Sequence, residues 1–410
     1  MTSPPQGSRR PGEAPPLHPL RSLTDDLLAD ILIRLPTLAD LGRASVACAP
    51  FRRVVADHSF RRRLRALHRP VLLGFLTFAG GFLPAEPPHR SAPAARALAG
   101  AADFGYSFLP SPRGWVVRDA RDGRVLLDRN DGGLGIFTKL AVCDPLFRRY
   151  VVLPPIPEDM AASVQQPHLL DLDRRFEVFL APSSEDEAPA AQTSFRVIWM
   201  AQCPANLVAF VFSSVDGQWH PIAAPTWHDL NPAKSSVIRR VLFCRSYAYG
   251  CFYWMMTISA SLLVLDMAKM EFSLLKLPSD HTRQQSAIVE AGEGKLGMFA
   301  LSGTFGESRG LDLFSIIRPS EGAGANEWRP ASGAILPHQY RYHILGEANG
   351  KVLVQGDLEF VDDDFLPPNV EVLSIDFNTL DYESVCGMID NDLHPLPLLG
   401  YPPSLSSPSI

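Results

Sequence analysis

The residues of this 410-residue chain that could do chemistry are few and scattered. His228-Asp229 has the makings of half a hydrolytic dyad, in which a carboxylate orients an imidazole that takes a proton from a nucleophile. The rest is missing: no Gly-x-Ser-x-Gly elbow occurs, and Trp227 to Pro232 reads as a polar loop. Asp362 to Asp364 offer oxygens suited to a hard cation, but they lack the glycine and closing glutamate of a calcium loop and read as a solvated acidic turn. Gly292, Gly294 and Gly297 spell a G-x-G-x-x-G string, which cradles a pyrophosphate when a helix follows. Here Met298 to Leu301 continue as a strand, so a hairpin turn is expected. Cys48, Cys143, Cys203, Cys244, Cys251 and Cys386 form no C-x-x-C pair and read as reduced thiols packed as small hydrophobes. No catalytic residue, metal or cofactor is expected.

The elements around these residues have two periods. After Pro70 the chain shows short apolar runs: Val71 to Leu76, Trp115 to Arg118, Val125 to Leu127, Phe176 to Leu180, Phe195 to Met200 and Leu207 to Phe212. They read as strands, separated by turn signals at Asp122-Gly123, Asp131-Gly132, Asp216-Gly217 and Asn349-Gly350. Segments 84 to 102 and 181 to 192, rich in Ala, Pro and Ser, read as mobile loops. Ser246 to Leu265 carries no charge over a membrane-spanning length. Hydroxyls at Thr257 to Ser261 divide it into two aromatic and branched halves, which fits two buried strands and no membrane span.

An internal echo links three places. Val142 to Pro145 followed by Val151 to Pro154 resembles Val264 to Asp266 followed by Leu274 to Pro278, and Ser374 to Phe377 followed by Tyr382 to Val385 is a looser third copy. The spacing of Asp144, Asp266 and Asp376 equals two to three propeller blades, so the expected fold class is α+β multidomain: a small all-α module, then an all-β, kelch-like propeller of six or seven blades. Trp199, Trp219, Tyr253, Trp254 and Trp328 are expected mostly in its core.

Residues 1–20 are proline-rich and poor in large apolar side chains, and read as a disordered tail, as do 401–410. Between them the expected domains are 21–68, helical, and 69–400, the propeller. Thr24 can cap a first helix with Asp25 and Asp26 at its positive end, and Leu27, Leu28, Ile31, Leu32 and Leu35 recur at helical spacing before Pro36. Thr37, Leu38, Asp40, Leu41, Ala44 and Val46 suit a second helix that Pro50 ends. Phe51, Val54 and Val55, then Phe60, Leu64 and Leu67, suit a third and a fourth, with arginines at 61, 62, 63 and 65 mainly outward. So small a module cannot bury all its leucines alone, which implies a partner. The net charge of −6, from 38 basic and 44 acidic residues, argues against nucleic acid. No secretory signal is seen, so the expected location is cytoplasmic, nuclear or both.

The helical segment resembles the F-box family through Leu23-Thr24-Asp25-Asp26-Leu27-Leu28, Ile31-Leu32, Arg34-Leu35-Pro36, Asp40-Leu41, Ala44-Ser45-Val46-Ala47-Cys48, Phe51-Arg52 and Phe60. Thr24 stands where that family usually has proline, and Phe51 where it often has tryptophan. The phrases around 262 to 278 resemble the F-box-associated propellers of plant members. The resemblance implies that the helices dock on a Skp-type adaptor, and through it on cullin and RING subunits, while the propeller recruits a protein substrate. Candidate adaptor-binding residues are Leu23, Leu27, Leu28, Ile31, Leu32, Leu35, Pro36, Leu41, Val46, Cys48 and Phe51. The expected function is the substrate-recognition subunit of a Skp-cullin-F-box ubiquitin ligase, itself non-catalytic. The alternatives are a propeller hydrolase with an accessory helical domain, and an F-box scaffold acting without a cullin. Substrate is expected at loops among 84–102, 181–192, 279–287, 319–333 and 356–369.

Overall fold

The computed structural model describes residues 23–400 except 36–37, 68–69, 79, 112, 130–134, 173–174, 183–193, 238–240, 279–284, 293, 303–309, 318–327, 332, 338–339, 349, 359–369 and 389–394. The terminal segments 1–20 and 401–410, the Asp131-Gly132 turn and Asp362 to Asp364 therefore lie outside the described residues. So does nearly all of 181–192. The chain divides into two compact units, Met1–His68 and Arg69–Ile410.

The first unit has four helices: α1 (Asp25–Leu32), α2 (Leu38–Ala47), α3 (Ala49–Ala56) and α4 (His58–Leu67). Thr24 caps α1, its side chain accepting from the Leu27 amide. Pro50 does not end α2. It lies in the first turn of α3, where a missing N–H costs nothing, after Cys48 has turned the chain in extended conformation. Asp57 Oδ1 accepts from the Ser59 and Phe60 amides at the start of α4.

The second unit is a six-bladed propeller. Blade I contains β3 to β6 (Trp115–Arg121, Arg124–Arg129, Lys139–Asp144, Arg149–Val152). Two short helices, α6 (Glu158–Ala161) and α7 (Pro167–Leu172), lead to blade II, β7 to β10 (Phe176–Ala181, Arg196–Gln202, Leu207–Ser213, Gln218–Ile222). After α8 (Trp227–Leu230) comes blade III, β11 to β14 (Leu242–Ala248, Cys251–Met256, Ser261–Asp266, Glu271–Lys276). Blade IV is β15 to β18 (Ser286–Glu290, Lys295–Ser302, Gly310–Ile317, Arg329–Pro330) with β19 (Ala334–Ile335) also on β17. Blade V is β20 to β23 (Tyr340–Ala348, Lys351–Leu358, Val370–Asp376, Tyr382–Met388). Blade VI joins both ends of the propeller, since β1 (Val71–Leu76) lies between β2 (Phe82–Pro84) and β24 (Leu396–Gly400). β24 packs beside β3 and β20, the first strands of blades I and V, so the C-terminal strand takes the innermost place and the N-terminal strands the outer ones.

The inner strands of the blades are buried on both faces, which is why β5, β8, β12 and β13 read as apolar runs, while outer strands such as β6 and β14 are mostly exposed. Alternate residues enter opposite clusters: Val197, Trp199 and Ala201 pack toward blade I, and Ile198 and Met200 toward blade III. Phe252, Trp254 and Met256 likewise face blade II, while Tyr253 and Met255 face blade IV. The uncharged stretch of the sequence is thus β12 and β13, and among the described residues no helix is long and apolar enough to cross a membrane. Six such clusters close the ring, the last two formed by blade VI with V and with I.

The echoed aspartates belong to alternate blades. Asp144, Asp266 and Asp376 end the third strands of blades I, III and V. Each turns the chain by accepting from the amides two and three residues on: Leu146 and Phe147, Ala268 and Lys269, Asn378 and Thr379. Leu153 and Leu277 of the Leu-Pro phrases are buried in the cluster with the following blade. At Asp122-Gly123, φ values of 53° and 77° make the two-residue hairpin between β3 and β4. The glycine string is the β15–β16 hairpin, with Gly297 in the strand, where a Cβ would come within 2.5 Å of the Phe377 ring.

Two segments read as loops are helical. Ala92–Ala101 forms α5, whose Ala95 packs into the blade V–VI cluster, because alanines favour helix wherever one small face is covered. Trp227–Leu230 forms α8, held by a capping box between Thr226 and Asp229, with Trp227 fully buried. Cys143 and Cys386 are buried in the propeller, and desolvation pushes both thiols up to about 12.

Ring closure gives a test. A chain ending at residue 395 lacks β24 and is expected to lose cooperative β-sheet melting by circular dichroism. Leu398→Ala, at a site 5% exposed, should lower the unfolding free energy of the propeller by about 2–5 kcal/mol in urea titration. Melting of the shortened chain at the intact protein's temperature would show that the closing strand is dispensable.

Candidate functional site

The helical unit builds its core from Leu28, Ala29, Leu32, Ile33, Leu41, Val54, Val55 and Phe60. Charged clamps fix α1 on this core: Arg53 Nη2 lies 2.7 Å from Asp25 Oδ1, and Arg63 Nη2 lies 2.6 Å from Asp30 Oδ1. Arg63, one of the arginines expected to face outward, thus ties α4 to α1. All four partners are half or more exposed, so the clamps set orientation more than stability.

The eleven residues singled out in the sequence fall into separate groups. Leu28, Leu32 and Leu41 are buried in the core. Leu23, Leu35 and Phe51 pack against it while partly exposed, and Cys48 is half-buried at the start of α3. Leu27 and Ile31, one turn apart on α1, are 51% and 54% exposed, and Val46 on α2 is 73% exposed. Pro36 lies outside the described residues. The surface these residues offer is therefore narrower than the sequence pattern: Leu27 and Ile31 on one helix face, with Val46 a further apolar side chain on α2. The Asp25–Arg53 and Asp30–Arg63 clamps carry no local sequence signal, since 28 and 33 positions separate the partners.

In the propeller, the first strands carry a set of arginines placed by bulges. The register of β3 shifts at Arg118, and that of β11 across Cys244 and Arg245. Arg118 pairs with buried Asp128 and its guanidinium lies over the Phe78 and Phe176 rings. Arg245 lies 3.3 Å from Asp119 and its guanidinium is 4.2 Å above the Phe179 ring. Asp119 also accepts from the Leu180 amide at 2.8 Å, joining blades I and II. These charges are matched within the fold and rigidify it. Asp229, the acid of the supposed dyad, is held by Thr226 below the usual carboxylate range and serves as a cap. Among the described residues no three His, Cys, Asp or Glu side chains converge as metal ligands. Of the candidate substrate loops, 84–102 contains α5, and most of the other four lies outside the described residues.

The family model described as F-box protein AT5G49610-like, beta-propeller, matches residues 116–300, from β3 into β16. No curated protein matches the chain. Among solved structures, TolB from Acinetobacter baumannii is similar at 11% identity over 81% of this chain and 72% of that one, with a TM-score of 0.36. A chain of the nidogen/laminin complex is similar at 10% identity over 79% and 97%, with a TM-score of 0.37. The propeller is thus of a type found in an F-box-like protein family, in keeping with a role in protein interaction.

The division between core and surface leucines is testable by hydrogen exchange of peptides from residues 25–67. Leu41→Ala is expected to destabilise the helical unit by about 2–5 kcal/mol. Leu27→Ser with Ile31→Ser is expected to change its protection by less than about 1 kcal/mol, because neither side chain fills the core.

Proposed function

We propose that the protein is the substrate-recognition subunit of a Skp-cullin-F-box ubiquitin ligase. The helical unit docks on a Skp-type adaptor, which links to cullin and RING subunits, and the propeller holds the target protein. The observation that carries this reading is the pair of large apolar side chains, Leu27 and Ile31, half exposed on a capped helix whose other face is fully packed. The F-box-type propeller match supports it from the other unit. The chain donates no acid, base or nucleophile in this role. It raises the effective concentration of a target lysine near a thioester carried by another subunit.

Ile31→Asp and Leu27→Asp are expected to abolish co-precipitation of the adaptor, since burying an unpaired carboxylate in an apolar contact costs several kcal/mol. At half-exposed sites both variants should keep the parent's circular dichroism and melting. Undiminished adaptor capture by both folded variants would overturn the docking surface. Capture of adaptor without cullin by the parent chain would favour a scaffold over a ligase subunit.

A further inference from the structure

The interface between blades V and VI has a short sheet on one side. Blade VI has three strands, because after β2 the chain turns through His89 and Arg90 into α5 instead of adding a fourth. Leu72, Leu73 and Phe75 pack against Leu353, Val370, Val372 and Val385 over part of this interface. Toward the Asp376 turn the same face of blade V becomes polar, and a cavity of about 400 Å³ opens there. That volume is in the range of small-molecule sites.

The two walls carry opposite charge. His89 and Arg90 come from the blade VI side, and Asp376, Asp381 and Glu383 from blade V. Lys351 is also on blade V, but its Nζ donates to Glu383 Oε2 at 3.1 Å, and that pair cancels. The hydrogen bond from Lys351 holds the Glu383 carboxyl below its ordinary range, while burial lowers His89 and keeps it neutral at pH 7. His89 Nδ1 lies 2.7 Å from Ser91 Oγ, so the ring is fixed. Ser374 lines the cavity with 1% exposure, and its Oγ has no hydrogen-bond partner among the described residues. A buried hydroxyl without a partner is costly, and its position on the wall of a polar cavity points to a ligand that supplies the partner.

We propose that this cavity binds a small zwitterion of the amino-acid or dipeptide class, its carboxylate toward Arg90, its ammonium toward Asp376 and Asp381, and a polar atom on Ser374 Oγ. A simple anion would face the acidic wall uncompensated, and a simple amine would face Arg90. A molecule with both charges satisfies both walls. This site is independent of the ubiquitin-ligase reading, and its test needs neither adaptor nor target.

The full-length protein is titrated with free amino acids and dipeptides at millimolar concentration, following the propeller's melting transition and binding heat. N-acetylated and amidated counterparts, each lacking one charge, serve as controls. At least one zwitterion is expected to raise the transition, with both single-charge counterparts ineffective. Ser374→Ala should leave the ligand-free transition unchanged or higher, as an unsatisfied hydroxyl is removed, and weaken binding roughly five- to tenfold. Arg90→Gln, at an exposed position, should remove the response. No stabilisation by any zwitterion, equal response to the single-charge counterparts, or unchanged binding in both variants would overturn the proposal.

Discussion

Pairing of β24 with β1 is the constraint on which the rest of the propeller depends. It joins positions about 330 residues apart, at an entropic cost of ~5 kcal/mol by loop-closure scaling. The hydrogen bonds between two short strands do not offset this by themselves. What does is that β24 completes two apolar clusters at once: Leu398 enters the one shared with blade I and Leu399 the one shared with blade V. Without it, both clusters lose a wall and β1 loses its pairing with the strand that packs beside blades I and V. Closure and core formation are therefore one event, and so non-local a contact makes it a slow one.

Polar bonds between neighbouring blades reinforce the ring. Trp199 and Trp219 of blade II donate to the Ile136 and Pro154 carbonyls of blade I, Trp254 of blade III to Glu177 of blade II, and Trp328 beside blade IV to the Lys276 carbonyl of blade III. Amides bond between blades as well, Leu180 to Asp119, Ile288 to Ser246 and Ile344 to Gln285 toward the preceding blade, and Tyr249 to Glu290 toward the following one. Each indole buries its ring between blades and spends its N–H on the preceding one, so apolar packing and polar registration come from one residue. A ring held this way presents its connecting segments from a rigid frame, the arrangement a recognition module needs. The three-stranded blade relaxes the pattern on one side, and the polar cavity lies there.

Much of this was legible in the sequence because the signals were local. Val71 to Leu76 became β1 over the same residues, and the repeated aspartates marked strand ends because a short carboxylate there can accept amides two and three positions on. Blade number was legible only as six or seven, and the structure has six. Blade VI is assembled from segments at opposite ends of the propeller and has three strands, so no period reaches it. α5 was hidden because Ala and Pro over 92–101 also suit a loop, and only Ala95 meeting the blade cluster decides the matter. The β11–β12 hairpin turns at Tyr249-Gly250, with φ of 46° and 79°, where no Asn or Asp announces it. For the helical unit the sequence showed which residues are apolar, but not which face the neighbouring helices would cover.

That last distinction follows from helix geometry. At 100° per residue, Leu27, Ile31, Leu28 and Leu32 lie at about 0°, 40°, 100° and 140° around α1. α3 packs against α1 and the shared core covers the far side of this arc, leaving Leu28 and Leu32 at 2% and 4% exposure and the near side at 51% and 54%. The apolar arc is wider than one small core can use. The excess is also too narrow to bind on its own: covering the exposed halves of two such side chains recovers only about 1 kcal/mol each, far below what ordering two proteins costs. Any partner that docks on α1 must therefore reach beyond it, and the Asp25 and Asp30 clamps matter because they fix the angle at which Leu27 and Ile31 are offered to that larger surface.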